Sequence, residues 1–225
     1  MDDNKKKIAF IINPISGTQG KEHILKWLDE KLDKNRYMPE VIYTEWAGHA
    51  VEIAARKAKE EVFAVVAIGG DGTINEIARS LVHTKTALGI IPCGSGNGLA
   101  RHLQIPMEAK KAIDIINEGL IDIIDYGKIN DVPFFCTCGV GFDAFVSLQF
   151  SKAGRRGPLI YLEKTLLESL KYKPETYELE MDGSTSRYKA FLIACGNASQ
   201  YGNNAYITPQ DRKSTRLNSR HITNS

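Results

Sequence analysis

VFAVVAIGGDGTINEIA at residues 62–78 and ALGIIPCGSGNGLAR at residues 87–101 follow one plan: an apolar run, a glycine-rich turn and a helical pattern. The first run is too apolar to be half exposed, which is typical of a parallel strand covered on both faces. Such a turn can bring backbone N–H groups and the positive end of a helix dipole close to a phosphate. The pair therefore favours a phosphate site, although either turn alone could be a plain connector.

The same alternation of strand and helix continues on both sides of these turns. KIAFIINP, MPEVIYTEW and TALGIIP are predicted strands, and EHILKWLDEKLDK, HAVEIAARKAKEE and PMEAKKAIDIINEG are predicted helices. Thr73 and Glu76 fit a capping box that would start a helix at the first glycine turn, and Pro106 suits the first turn of the last helix. Residues 1–127 are thus predicted to form a layered α/β domain with a mostly parallel sheet.

The pattern changes near residue 120. Residues 128–210 are predicted to be an incomplete, mainly β second domain, with turns at Asn130-Asp131 and Asp182-Gly183 and an inserted helical segment from residue 143. Residues 211–225, DRKSTRLNSRHITNS, contain two apolar residues that could pack and show no helical or strand periodicity. They also resemble a translated sequencing adapter. We predict a disordered, non-native tail there.

Composition excludes several classes of protein. The 225 residues are 43% hydrophobic and 25% charged with a net charge of +2, so composition gives no case for nucleic-acid binding. The N-terminus is charged, and no run approaches the roughly 20 apolar residues of a membrane span. The four cysteines fit neither a disulfide framework nor a zinc motif. We expect a soluble, cytoplasmic protein without a transmembrane segment.

Four motifs occur in an order that resembles one enzyme family: NPISG at 13–17, GGDGT at 69–73, PCGSGNGLAR at 92–101 and GVGFDA at 139–144. This is the diacylglycerol kinase catalytic family, which includes sphingosine kinases, ceramide kinases and bacterial lipid kinases. The resemblance runs from about residue 5 to Gln210. It implies a phosphofructokinase- and NAD kinase-like first domain and transfer of the γ-phosphate of ATP, with Mg²⁺, to a lipid hydroxyl. The lipid, of diacylglycerol or of sphingoid or ceramide type, would lie at the membrane surface, with the protein peripheral at the inner face.

Asp71 is the candidate catalytic residue because it is the one carboxylate inside the first glycine turn. A carboxylate among phosphates needs a metal ion or a substrate hydroxyl to offset it, so Asp71 could be a metal ligand or a general base. The resemblance implies that this Asp is required, and in the sphingosine kinase branch it is taken as the base. Beside it, we expect close backbone approach to the nucleotide at Gly69, Gly70 and Gly72, and a hydroxyl from Thr73.

The resemblance also implies a set of nucleotide contacts outside the first turn, namely Asn13, Ser16, Gly17, Gly94, Ser95, Gly96, Asn97 and Arg101. Diacylglycerol kinases commonly carry an Asp after the Asn of the second turn, whereas this chain has Gly98, as in the sphingosine and ceramide branch. Asp143 matches a residue that contacts the lipid head group, or it is a helix N-cap. Lys152, Arg155 and Arg156 form a basic cluster that suits either a lipid-phosphate surface or a solvated loop.

Two other functions remain open at this stage. A soluble-metabolite kinase is one, because NAD kinases and phosphofructokinases also carry a GGDG turn after a buried strand. A truncated, non-catalytic nucleotide-binding module is the other. The family's later G-D-G-x-L-D motif does not occur in this sequence, so we expect the 225-residue chain to be weakly active or inactive.

Overall fold

The computed structural model of this chain describes residues 5–14, 21–142, 144, 172–181, 183–202 and 205–206. Several predictions lie outside these residues: those on Ser16 and Gly17, on the inserted helical segment from residue 143 with Asp143 and the basic cluster, on Asp182, and on residues 211–225. The described chain divides into two compact units. The first unit runs through Cys136 and resumes at Gly196, and the second comprises the residues from Thr137 to Cys195.

A parallel sheet of four strands forms the centre of the first unit, as the alternating pattern predicts. The strands are β1 (Lys6–Ile12), β2 (Tyr37–Tyr43), β3 (Ala64–Gly69) and β4 (Ala87–Pro92), in the spatial order β2-β1-β3-β4. All six residues of β3 are buried, which confirms that this strand is covered on both faces. Because the strands are parallel, their carboxyl ends meet at one edge of the sheet.

Five helices connect or follow these strands. They are α1 (Glu22–Lys31), α2 (His49–Lys59), α3 (Asp71–Leu81), α4 (Gly98–His102) and α5 (Ala109–Glu118). One face of the sheet packs with α2 and α3, and the opposite face packs with α1 and α5. In the described ranges, no helix has the length and apolar character needed to cross a bilayer.

Two predicted helix starts are wrong. The helix after the first glycine turn begins at Asp71, so Thr73 lies inside its first turn and is not the cap. Gly70 precedes this helix with an extended backbone. The last helix begins at Ala109 after Glu108, which leaves Pro106 outside it, whereas Gly119 ends it in the left-handed conformation as predicted.

Two short antiparallel pairs of strands also lie in the described part of the first unit. Strands β5 (Gly127–Ile129) and β6 (Val132–Phe134) form an antiparallel hairpin whose turn residues, Asn130 and Asp131, both have positive φ. This conformation matches the predicted turn. Strands β11 (Gln200–Gly202) and β12 (Ala205–Tyr206) pair near α4.

The second unit is β-rich in its described part. Strands β7 (Thr137–Gly141) and β10 (Leu192–Gly196) pair, and β8 (Glu175–Met181) forms an antiparallel hairpin with β9 (Ser184–Ala190). Gly183, in the turn of this hairpin, has a φ of +75°, which glycine adopts at no steric cost. The mainly β character of this region is confirmed.

Candidate active site

The carboxyl edge of the parallel sheet brings the predicted site residues of three strands together. Asn13 follows β1, Gly70 follows β3, and Cys93 and Gly94 follow β4. The ladder continues beyond the strands, since the Asn13 N–H donates to the Ile68 carbonyl at 3.4 Å and the Cys93 N–H donates to the Gly69 carbonyl at 2.8 Å. Three segments that are far apart in the sequence are therefore fixed side by side.

The two glycine turns touch each other through their backbones. A Cβ atom on Gly94 would lie 2.6 Å from the Cα of Gly70 and 2.9 Å from Oδ1 of Asn97. A Cβ on Gly70 would lie 3.2 Å from the Cα of Gly94. Since backbone atoms cannot swing aside as a side chain can, this close approach requires glycine at Gly94.

The Asp71 carboxylate joins the two turns by hydrogen bonds. Its Oδ2 accepts from the Asn97 N–H and its Oδ1 accepts from the Gly98 N–H, both at 2.7 Å. These distances are typical of charge-assisted bonds, and two consecutive amides fix the plane of the carboxylate. Asp71 caps α4 in this way although it belongs to α3, and the residue remains exposed. A carboxylate has about four acceptor positions, so two are left for a ligand.

Asn97 shapes the second turn from inside. Its φ of 52° and ψ of 46° place it in the left-handed region, which Asn tolerates better than most residues. Its Oδ1 accepts from the Gly94 N–H at 2.9 Å, and its Nδ2 donates to the Gly94 carbonyl at 2.7 Å. The residue is 5% exposed. Both polar atoms of the side chain thus bond the backbone of Gly94, and Nδ2 also donates to Sδ of Met107 at 3.8 Å.

Asn13 and Thr73 connect the first strand to the first glycine turn. The Asn13 Nδ2 donates to Oγ1 of Thr73 at 3.3 Å, and Thr73 is buried. A Cβ on Gly69 would lie 2.8 Å from both Cβ and Oγ1 of Thr73, so this side chain occupies the space above the glycine. The sequence-based prediction did not foresee this packing role.

Gly72 has a different environment from the other glycines of its turn. A Cβ at this position would meet no atom within 4 Å, and the residue is exposed with an ordinary backbone. It lies in the first turn of α3, where N–H groups have no acceptor inside the helix. Packing does not require a glycine here, and the open space would admit a phosphate close to the helix N-terminus.

The remaining predicted residues of the second turn have separate surroundings. Ser95 is exposed at the tip of the turn. Arg101 donates from Nε to the Gly96 carbonyl at 3.1 Å, so its guanidinium group folds back over the turn. The nucleotide roles of these residues stay predictions.

Cys136 is a neighbour of Asp71 to which the sequence interpretation assigned no role. Burial, together with the negative charge of Asp71, raises the pKa of its thiol to about 12, and burial is the larger cause. Burial lowers the pKa of Lys21, and the nearby Cys93 partly opposes this shift. Only the topology reveals these pairs, because their members are far apart in the sequence.

The donor set fits a shared metal ion better than a metal held by protein alone. Across the described segments, no three His, Cys, Asp or Glu side chains are grouped to hold a metal. The exposed Asp71 is a single carboxylate. Mg²⁺ is often bound by one or two carboxylates together with substrate phosphates. Asp71 therefore fits a Mg²⁺ ion that arrives with a nucleotide.

Comparison with family models identifies two matching domains. Residues 7–129, more than half of the chain, match the diacylglycerol kinase catalytic domain. Residues 136–215 match the YegS C-terminal NAD kinase beta sandwich-like domain. The first match includes both glycine turns and the Asp71 carboxylate.

Curated relatives and solved structures agree with these matches. A diacylglycerol kinase of Staphylococcus saprophyticus is 30% identical over 85% of this chain, and one of Staphylococcus aureus is 31% identical over 85%. The chain spans 64% and 62% of the lengths of these two relatives. A crystal structure of a diacylglycerol kinase from Bacillus anthracis covers 97% of this chain with a TM-score of 0.67 at 20% identity, and the match spans 79% of that protein. This likeness shows the shared fold.

Proposed function

Since this chain belongs to the diacylglycerol kinase catalytic-domain family, we propose that it transfers the γ-phosphoryl group of ATP to the hydroxyl group of a lipid. The family is one of lipid kinases, and kinases of this kind take their phosphoryl group from a nucleoside triphosphate. ATP as donor, Mg²⁺ as its counterion and the identity of the lipid are parts of this proposal.

The arrangement around Asp71 is the observation that carries the proposal. Its carboxylate is held by two backbone N–H groups, is exposed, and lies in the same helical turn as the open space at Gly72. Phosphoryl transfer requires a positioned hydroxyl and charge stabilisation more than covalent chemistry by the protein. A fixed carboxylate beside an open helix N-terminus supports both needs.

In the proposed reaction, the lipid hydroxyl oxygen forms a bond to the γ-phosphorus, and the bond from that phosphorus to the bridging oxygen breaks. The hydroxyl proton passes to a free acceptor position of Asp71, and ADP leaves with the electron pair of the broken bond. When bound, Mg²⁺ would offset the phosphate charge. Asp71 as a metal ligand is the alternative role, and it uses the same acceptor positions.

We propose further roles for the other predicted residues. The helix N-terminus at Gly72 would receive the phosphates, with Ser95 and Gly96 exposed or half-buried at the second turn. Asp143, for which we propose a contact to the lipid head group, lies outside the described residues. We propose that the protein works at the cytoplasmic surface of a membrane, since its lipid substrate would be there.

The substrate class can be tested with radiolabelled ATP and a panel of acceptors. Because the sequence lacks the family's G-D-G-x-L-D motif, we expect slow turnover: micelles of diacylglycerol, ceramide or sphingosine should yield a small amount of labelled lipid phosphate, and NAD⁺ should yield no labelled product. The radiolabel detects turnover far below the roughly 1–100 s⁻¹ of ordinary kinases. Phosphorylation of NAD⁺ without any lipid product would replace the proposal with a soluble-metabolite kinase. Nucleotide binding without transfer to any acceptor would indicate a non-catalytic module.

A further inference from the structure

We propose that Asn97 is a positioning residue, which acts on the reaction by fixing the two N–H groups that hold Asp71, and not by binding the nucleotide through its side chain. This inference rests on the proposed function, since it assigns a role within the same site. It starts from the direction of the Asn97 side chain, which turns away from solvent and toward Gly94.

The first step of the argument is the closed loop formed by residues 94–97. The Asn97 amide group pairs with both the N–H and the carbonyl of Gly94, at 2.9 and 2.7 Å. A side chain that bonds both backbone groups of one residue leaves the loop little freedom to change shape. The Asn97 Nδ2 also donates to Sδ of Met107 at 3.8 Å, so both polar atoms of the side chain have partners within the protein.

The second step is the backbone of Asn97 itself. Its left-handed conformation turns the chain so that the N–H groups of residues 97 and 98 point to one carboxylate. The φ and ψ of Asn97 set the direction of the Gly98 N–H group relative to the N–H group of Asn97, so a change in this conformation would alter the pair of bonds to Asp71. The side-chain bonds to Gly94 therefore maintain the conformation on which the carboxylate depends.

The third step is the contact between the turns. Gly94 lies against Gly70, the residue before Asp71, with no room for a Cβ atom between them. Asn97 thus stabilises the second glycine turn. This turn contacts the backbone of Gly70, next to Asp71, and it also binds the Asp71 carboxylate through two N–H groups. Loss of the Asn97 side chain should loosen both contacts while leaving the buried sheet unchanged.

The test substitutes Asn97→Gly, because glycine keeps the left-handed backbone and removes only the side-chain bonds. Asn130→Gly is the matched control, since Asn130 also has positive φ but lies in the exposed β5–β6 turn. Amide hydrogen exchange, followed by NMR, measures the protection of the N–H groups that bind Asp71 and does not require enzyme activity. We expect protection of the Gly98 amide to fall about ten-fold or more in Asn97→Gly, and amides of β3 to keep their protection in both variants.

A kinetic readout separates positioning from general structural damage. With the acceptor lipid found in the panel, Asn97→Gly should lower kcat about ten-fold or more with the KM for ATP changed less than about three-fold. Unchanged Gly98 exchange would overturn the inference, and so would lost exchange protection with an unchanged kcat. If the parent chain transfers no phosphate, the proposed function fails while the exchange data still decide whether Asn97 fixes the Asp71 bonds.

Discussion

At the scale of single residues, the chemistry predicted for the first glycine turn depends on residues of the second. The sequence placed Asp71 in a phosphate-binding turn, but it did not show that the N–H groups of Asn97 and Gly98 bind its carboxylate. Residue type and spacing predict which side chains are available in one turn. They do not predict a bond between positions 26 residues apart, because that bond depends on the order of strands in the sheet.

The contact between the turns predicts the effect of Gly94→Ala. The added methyl group would lie 2.6 Å from the Gly70 Cα, so the backbones must separate. Overpacking of this kind typically costs about 1–3 kcal/mol, and each kcal/mol lowers the Tm by about 2–4 °C for a chain of this size. Calorimetry of the variant should show this loss, and an unchanged Tm would contradict the close approach.

Gly72→Ala is the matched control for that substitution. A Cβ at residue 72 meets nothing within 4 Å, and alanine is preferred to glycine in a helix, so the Tm should stay the same or rise. If phosphates approach this backbone, titration calorimetry should show ATP binding weakened about ten-fold, or about 1.4 kcal/mol. Unchanged ATP affinity in Gly72→Ala would place the phosphates elsewhere.

At the scale of elements, the sequence predicted strands and helices well and some helix starts poorly. The apolar runs of β1, β3 and β4 are unambiguous because buried parallel strands leave few alternatives. Thr73 was misplaced because its capping-box pattern is local, whereas its hydroxyl is used by Asn13 of a different strand. Tertiary contact outweighed the local signal there.

The position of Cys136 gives a prediction about neighbouring elements that requires no enzyme activity. Burial is the main cause of its pKa of about 12, and the Asp71 charge adds to the shift. The thiolate is the reactive form, so Cys136 should be alkylated slowly at about pH 9, and the exposed Cys195 faster. In Asp71→Asn the pKa of Cys136 should fall, which raises its alkylation rate.

The size of this change is bounded by the charge removed. A shift of one pKa unit would raise the thiolate fraction about ten-fold, so the rate at Cys136 should rise by up to about that factor. Mass spectrometry of labelled peptides reports each cysteine separately. Asp122→Asn, a substitution of an exposed Asp outside the site, should leave the rate unchanged. Equal Cys136 rates in the parent and in Asp71→Asn would show that the two residues are not neighbours.

At the scale of the whole molecule, the sequence supplied the family and the division into an α/β part and a mainly β part. The motifs are short, but their order along the chain is specific, and the family match over residues 7–129 confirms it. What the motifs could not supply is which backbone groups each side chain binds. The chain leaves the first unit after Cys136 and returns to it at Gly196, and no pattern in the sequence indicates this return.

The returning segment shows why such a path is hidden from sequence analysis. Asn197 donates from Nδ2 to the carbonyls of Asp125 and Phe135, and Ala198 and Ser199 are buried. The backbone N–H of Asn197 donates to the Cys136 carbonyl at 2.7 Å. These bonds join segments about 60 to 70 residues apart, and the residues involved are common in any loop.

The most direct test of the central claim is the rate of lipid phosphorylation in the Asp71→Asn variant at saturating ATP. Asparagine keeps the size of the side chain but cannot accept the hydroxyl proton or offer a negative charge to Mg²⁺. With the lipid acceptor found in the panel, kcat should fall about 10²–10⁴-fold relative to the parent and to Asp122→Asn. A folded Asp71→Asn variant that works within about three-fold of the parent would contradict the assignment of Asp71 as base or metal ligand.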